Sequence, residues 1–536
     1  MKMKQFIATI AAVAVTVSVT AQSLDEGMKM YRYERYASAK KILQPLAATD
    51  ATANYYYGLA ELELGNTEAA KQAFVKFPDD YANIGGMARV KFATEGEAAG
   101  MQAAKALADM GKKKDFMNKK YAADAVNYSK GGDKQQAVNW YTEVLEKMNT
   151  PELLIATGDA YLQIPSGGGQ AMTHFEKAIE KDPKNSLAYS RIGKLMYNAK
   201  NYEVALDNWK KAQEADPTNP LPYYDMANAY TYVGKFDVAK QNMEKYMQYS
   251  DNSTEDVIRY AEILYQSKDY AGAIAKINEL KAKGVDKVNF YGILAYSYLE
   301  DKDSVAGVKA LENARIYFSK QNPEKIYAQD YMKLGQVYMR NNIADSANMA
   351  FNKALEKETP ENKINIYRDI AESFRLNRDW VNGAVWYDKL VTDFPDKATA
   401  NDYYWGGICY YYSSSNSKNV DATAQLNKAV AIFDKMVEKF PEQQISYYWR
   451  GRSYAGLDPE GDKGLAVADF EKWLTMDAEA AQKADKLIPF AYQYLALTAY
   501  KKDDKETAIK YADLVLSIDP ANEFAKQVKD YFKKKA

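Results

Sequence analysis

Small residues recur in the middle of the chain at an interval of 34 positions: Gly193, Ala227, Ala261 and Ala295 form one column, and Ala205, Ala239, Ala273 and Gly307 a second, 12 residues behind it. Apolar residues keep fixed offsets from the first column. Tyr189, Tyr223, Val257 and Tyr291 stand four before it and Met196, Tyr230, Leu264 and Tyr298 three after it. Each period therefore carries an i, i+4, i+7 stripe, which is one face of a helix. Trp209, Met243, Ile277 and Leu311, four after the second column, place another stripe on a second helix. The polar pairs Lys200-Asn201, Gly234-Lys235 and Lys268-Asp269 separate the two helices, and Pro183 and Pro217 stand where a helix must stop. The pattern predicts helix pairs and no strand. Gly or Ala in the columns lets helices approach closely, and a single pair cannot bury its own stripe, so the pairs must stack.

In the form Tyr189-x-x-Ile192-Gly193-x-x-Met196, Tyr202-x-x-Ala205-x-x-x-Trp209-x-x-Ala212 and Pro217, the period resembles the tetratricopeptide repeat (TPR). Similar copies read Gly58/Ala70/Phe74, Ala125/Ala137/Tyr141 and Gly158/Ala171/Phe175 upstream, and Gly335/Ala347/Phe351, Ala371/Gly383/Tyr387, Gly407/Ala429/Phe433, Gly451/Ala466/Phe470 and Ala496/Ala508 downstream. The resemblance implies an all-α fold, an α-solenoid built as a right-handed superhelix of stacked TPR helix-turn-helix pairs. The expected divisions are a signal peptide at 1–21, N-terminal repeats at 22–117 with a degenerate unit at 79–117, a central regular array at 118–327, a C-terminal array with insertions at 328–521 and a capping helix at 522–536. Excess residues fall near 321–323, at 413–425 and at 456–463, where loops are expected on an edge of the stack.

TPR proteins resembling this one use one face of each first helix as an inner, concave groove. Carried onto this chain, that row reads Tyr224-Asn228-Thr231 with Tyr232, then Ile258-Glu262-Tyr265 and Gly292-Tyr296-Leu299. It continues as Met332-Gln336-Met339 with Arg340, Arg368-Glu372-Arg375, and Tyr404-Ile408-Tyr411 with Tyr412. Tyr448 and Tyr500 are assigned to the same set of tyrosines outside the packing stripe. The candidate partner-binding residues are thus Tyr224, Asn228, Tyr232, Tyr265, Tyr296, Arg340, Arg368, Arg375, Tyr404, Tyr411 and Tyr448. Amide, ring and guanidinium suit an extended peptide, through backbone pairing, contact area at low entropic cost and a fork onto carboxylate. A glycan stacked on the tyrosines is the alternative ligand. The Lys-then-Asn pattern of the chaperone-tail clamp is absent, since Tyr224 stands where the Lys would be.

Composition changes the picture only by exclusion. Lys+Arg 71 against Asp+Glu 72 gives no support to a nucleic-acid partner. Lys2 and Lys4 precede an apolar run at 6–19 and small residues before Ala21, the pattern of a cleaved secretory signal. Cys409 is the single cysteine, so no lipid-anchor cysteine follows that signal and no disulfide framework or thiolate zinc site is expected. The mature protein is expected in the periplasm or outside the cell, with no transmembrane segment after signal cleavage. His174, the single histidine, reads as a surface helix residue, Cys409 as a small buried hydrophobe, and 166–169 as a turn between helices. Asp458-x-Glu460-x-Asp462 spaces oxygens as calcium loops do, but Lys463 occupies the glycine position, so an acidic turn is the reading. The paired acids Asp79-Asp80 and Asp503-Asp504 also fall in turns. No catalytic residue, cofactor or metal site is expected, and the partner is expected to be a protein or peptide.

Overall fold

The structure is a computed structural model that describes residues 23–111, 115–301, 303–416, 420–476 and 487–535. The signal reading of 1–21 lies outside these residues. Among the described residues every regular element is helical and none is a strand. Helices pair in sequence order, as in Ser186–Asn198 with Tyr202–Ala215 and Leu221–Tyr232 with Phe236–Tyr249.

The turns form where the polar pairs stand. Lys200, Gly234 and Lys268 adopt left-handed φ of 62°, 74° and 64°. The amides of Asn201, Lys235 and Asp269 then bond back to the carbonyls of Met196, Tyr230 and Leu264, which satisfies the ends of the first helices. Asn201 and Asp269 also cap the second helices, accepting from the amides of Val204 and Gly272.

The small columns are sockets. A Cβ on Gly193 would lie 2.4 Å from the Trp209 ring, one on Gly58 2.4 Å from Phe74, and one on Gly335 2.2 Å from Phe351. In the periods with Ala227, Ala261 and Ala295, the facing residue is Met243, Ile277 or Leu311 instead of a ring. In these periods the ring of the second helix seats on bare backbone where the first helix has Gly, and a side chain without a ring stands opposite Ala.

Residues 79–117 depart from the period because the socket is reversed. The helices Tyr81–Thr94 and Glu97–Asp109 form a regular pair, but here Phe92 of the first helix fills the space beside Gly100 of the second, 2.2 Å from where a Cβ would stand.

Two insertions are absorbed into helix rather than loop. The second helix Ser304–Lys320 is lengthened and followed by a 3-10 turn at Pro323–Lys325. Most of 413–425, expected as a loop, extends Ala400–Asn416 and Ala422–Lys439 to 17 and 18 residues, while 417–419 lie outside the described residues. Ser413 is buried there, and its hydroxyl donates to Tyr410 O. Only 458–466 is a loop, and it is a packed one. Buried Asp458 accepts from the amides of Lys463, Gly464 and Leu465 and from the Tyr494 hydroxyl. The capping helix is present as Glu523–Lys534, with Asn522 capping its start and Phe532 buried.

The chain divides into two compact units between Asp286 and Lys287, a point inside the span expected as one central array.

Candidate functional site

The expected binding row has a mixed fate. Tyr232 is 75% exposed, Tyr224 lies half-buried against Tyr246, and the Asn228 side-chain oxygen accepts from Arg259 Nε at 2.9 Å. Tyr265 is half-buried beside Tyr270, and Tyr296 donates its hydroxyl to Asp330 at 2.9 Å. Arg340 was expected to face a partner. Its guanidinium instead donates to the carbonyls of Tyr298, Leu299 and Asp303, closing the end of the helix Val288–Glu300. Arg368 forks onto Asp402 at 2.8 and 2.9 Å. Burial alone would raise that carboxyl, but Arg368 and Thr399 outweigh it and hold Asp402 below the ordinary value. Tyr448 was expected at the surface and is fully buried, because Trp473 and Phe470 of the next helix stack on it at 4.7 and 5.9 Å. Tyr500 is covered similarly by Tyr531 and Phe532 of the terminal helix.

The face that is lined is turned by about one residue, or ~100° of helix, from the expected row. Two positions before the first column and its downstream copies stand Arg191, Asp225, Arg259, Ile293, Lys333, Asp369, Trp405 and Trp449. Helix periodicity permits either face. What decides between them is which side the second helix of the same repeat covers, and that depends on the tilt of the pair.

In the unit 287–536 this face carries rings and guanidiniums together. Arg375, ion-paired to Glu372, lies over Trp405 at 3.9 Å, and Tyr404 packs edge-on against the same indole at 4.9 Å. Trp449 contacts Tyr411 at 5.3 Å, and Tyr412 leans on Trp380 at 5.1 Å. Arg452 donates to the Tyr411 hydroxyl at 2.7 Å and covers Phe490 at 3.8 Å. Tyr404, Trp405, Tyr411, Tyr412, Trp449, Arg452 and Phe490 are all half-buried. The expected residues Arg375, Tyr404 and Tyr411 are thus brought together, and Trp380, Trp405, Trp449, Arg452 and Phe490 join them. The tryptophans directly after Tyr404 and Tyr448 were the signal that this row lies one position further on. Stacked guanidiniums and rings held in place by one another offer flat apolar area with charged edges, suited to a polypeptide.

In the unit 1–286 the first-helix face lines a partly open pocket. The first repeat, at 23–32 and Tyr36–Leu43, touches turns some 180–210 residues away. Asp251 accepts from the amides of Ala37 and Ser38 at 2.7 and 3.1 Å, and Asp216 takes Lys29 at 2.8 Å and the Tyr33 hydroxyl at 2.9 Å. The pocket beside these contacts, open to solvent on one side, measures about 610 Å3. Its charges come in pairs: Arg89 with Glu63 at 2.6 Å, Lys120 with Asp124 at 2.7 Å, and Arg191 with Asp159 at 3.0 Å. Burial raises the Asp159 carboxyl even against Arg191, and pushes the Tyr31 hydroxyl up to about 12.

The remaining reactive groups have structural surroundings. Burial pushes the Cys409 thiol up to about 12, so it stays protonated and poorly nucleophilic. His174 stacks on Tyr161 at 5.4 Å, and burial and Lys177 lower its pKa. Among the described residues no group of three or more His, Cys, Asp or Glu could hold a metal ion, and no helix is long and apolar enough to cross a membrane.

Comparison with known proteins agrees with the repeat geometry. A family model described as tetratricopeptide repeat matches residues 52–83. A TPR repeat-containing protein of Methanocaldococcus jannaschii is 23% identical over 319 residues, covering 51% of each chain. Tetratricopeptide repeat protein 21B of Homo sapiens is 30% identical over 74 residues, 14% of this chain and 6% of that one. The chain therefore spans about half or less of the length of these relatives. The crystal structure of the C-terminal part of a TPR repeat-containing protein from Cytophaga hutchinsonii is similar at 26% identity over 51% of this chain and 98% of that one, with a TM-score of 0.41. With helix pairs running through its described residues and glycines seated against rings in several of them, the chain carries repeats of the tetratricopeptide kind.

Proposed function

We propose that this protein is an exported, non-enzymatic scaffold that binds a protein or peptide partner in the periplasm. The observation that carries the reading is the ring and guanidinium cluster between residues 375 and 490, built on first helices together with Trp380 at the start of a second helix. Its side chains are fixed by mutual contacts yet half-exposed, so a partner meets a surface whose ordering entropy is already spent. TPR arrays serve protein–protein interaction generally, and export rests on Lys2, Lys4 and the apolar run at 6–19. The buried thiol and the paired carboxylates give no nucleophile with a base beside it.

The test is titration of the mature chain with extended peptides and with neutral polysaccharides, followed by tryptophan fluorescence. Peptide binding should shift the emission, and Trp405→Ala with Trp449→Ala should weaken binding at least about tenfold, since truncating a central aromatic costs ~2 kcal/mol or more. A response to polysaccharide alone, or unchanged peptide affinity in the folded double variant, contradicts the reading.

A further inference from the structure

The first repeat, at 23–32 and Tyr36–Leu43, is held in two different ways. Its grip on the repeats that follow is apolar: Met30, Ala39 and Leu43 pack with Ala53 and Ala60, and Tyr31 joins Tyr55 and Leu59, in clusters that reach no further along the chain than Tyr121. Its grip on the later turns of the same unit is polar. Lys29 and the Tyr33 hydroxyl meet Asp216, Arg32 meets Glu152 at 3.5 Å, Glu34 meets Arg191 at 3.9 Å, and Asp251 takes Arg35 together with the amides of Ala37 and Ser38.

We propose that the first repeat is a latch, which closes the stack from residue 23 to residue 251 on itself and lets go of Asp216 and Asp251 as ionic strength rises, with every helix still folded. It supplies Lys29, Arg32, Tyr33, Glu34 and Tyr36 to the pocket wall, so release widens the mouth of the pocket.

Three observations point to a reversible closure. The ion-paired side chains across it keep between 19% and 52% of their exposure, and pairs this wet are weak and screened by salt. Release also breaks neither of the two apolar clusters that hold the first repeat. In a stack whose units touch only their neighbours, small rotations at successive helix pairs add up to an opening while each pair stays packed. The third observation is a borrowed cap. Arg35, at the start of Tyr36–Leu43, makes no side-chain cap, whereas Asn201 and Asp269 cap their own second helices. Asp251, 214 and 213 residues beyond Ala37 and Ser38, takes that place, so the helix is capped only while the latch is closed. Ala37 is exposed, and water takes over its amide on release.

Spin labels on Lys41→Cys and Lys245→Cys, two exposed positions outside these contacts, measure the span by pulsed electron paramagnetic resonance in a full chain carrying Cys409→Ala. One narrow distance is expected at about 0.01 M salt. At about 1 M, where the Debye length has fallen from ~30 to ~3 Å, a second and longer distance should hold most of the population, with helicity by circular dichroism unchanged. Asp251→Asn should move the closed-to-open ratio at least about tenfold toward open, as expected for losing hydrogen bonds to a charged group. Asp207→Asn removes the exposed pair with Lys211 inside one helix and should leave the ratio as it is. Amide exchange at Ala37 and Ser38 should rise with the open fraction while Ser186–Asn198 stays protected. A single distance at both salt concentrations, in the parent and in Asp251→Asn alike, overturns the latch, and so does a longer distance that appears only with loss of helicity. Distances found between chains that carry one label each would place the repeat on a second copy and overturn it as well.

Discussion

Gly193 and Trp209 form a socket whose energetics can be isolated. A Cβ on Gly193 would stand 2.4 Å from both Cδ1 and Nε1 of the indole, whereas carbon contacts are comfortable at ~3.5–4.0 Å. Trp209 is 1% exposed, so the ring would have to retreat by about 1 Å into a packed interior. Overpacking of this kind costs typically ~1–3 kcal/mol, offset by up to ~1 kcal/mol from the better helix propensity of Ala. Gly193→Ala should therefore destabilise by about 0–3 kcal/mol, and Gly193→Leu by more. The neighbouring repeat shows how the clash is relieved, since there Ala227 faces Met243. Trp209→Met removes the obstructing ring and also a buried indole N–H with no hydrogen-bond partner among the described residues. Gly193→Ala combined with Trp209→Met should thus be more stable than the sum of the single changes, by about 1–3 kcal/mol of coupling. Urea unfolding of the four proteins measures the cycle. Hydrogen exchange in Ser186–Asn198 and Tyr202–Ala215 places the effect locally, as expected for a stack in which repeats touch only their neighbours. Additivity to within about 0.5 kcal/mol, or a Gly193→Leu variant as stable as the parent, would refute the socket.

Asp225 gives a pH prediction. Burial lifts its carboxyl from 3.8 to about 6 against the pull of Lys194 and Arg191, so the folded state holds a proton that the unfolded chain releases, and stability falls as pH rises between about 4 and 6. Asp225→Asn should remove that decline and raise the melting temperature at pH 7.5; an unchanged pH profile sinks this assignment. Asp251→Ala should free the amides of Ala37 and Ser38, read as faster hydrogen exchange at those two positions with protection of the helix Ser186–Asn198 retained. Asp458→Ala should cost about 1–3 kcal/mol and expose 458–466 to limited proteolysis, because three amides and the Tyr494 hydroxyl lose their common acceptor. Proteolytic resistance equal to the parent's would count against that loop being organised by Asp458.

The helix pairs were legible because their signals are local. Periodic stripes, small columns and polar breaks are each read within one period, and Gly193, Gly335 and Gly407 all lie against the rings expected to face them. The binding face was legible to within one residue. Arg375, Tyr404 and Tyr411 belong to the cluster, but Tyr448 is buried by Trp473, a residue of the following helix whose placement depends on the 458–466 loop. Arg340 reads as a free guanidinium until the carbonyls of Tyr298 and Leu299, some forty residues earlier, are brought beside it. Docking of the first repeat on later turns left least trace. It depends on Asp216 and Asp251 meeting a repeat roughly two hundred residues earlier, which no pattern of one period encodes. The insertion at 413–425 misled for a related reason: extra residues can extend a helix as easily as a loop, and neither Gly nor Pro stands in that segment to stop one.

The claim that a polypeptide docks on the first-helix face of the unit 287–536 is tested most directly by site-specific photo-crosslinking in the native cell. A photoreactive residue is placed in turn at Trp405, Tyr412 and Trp449, and on the far side at exposed Lys435 and Glu438. The account predicts one protein partner crosslinked from all three face positions and from neither control, with the yield lost when Arg375 and Arg452 are both changed to alanine. Equal crosslinking from face and control positions, or none from the face while the controls label, would contradict it.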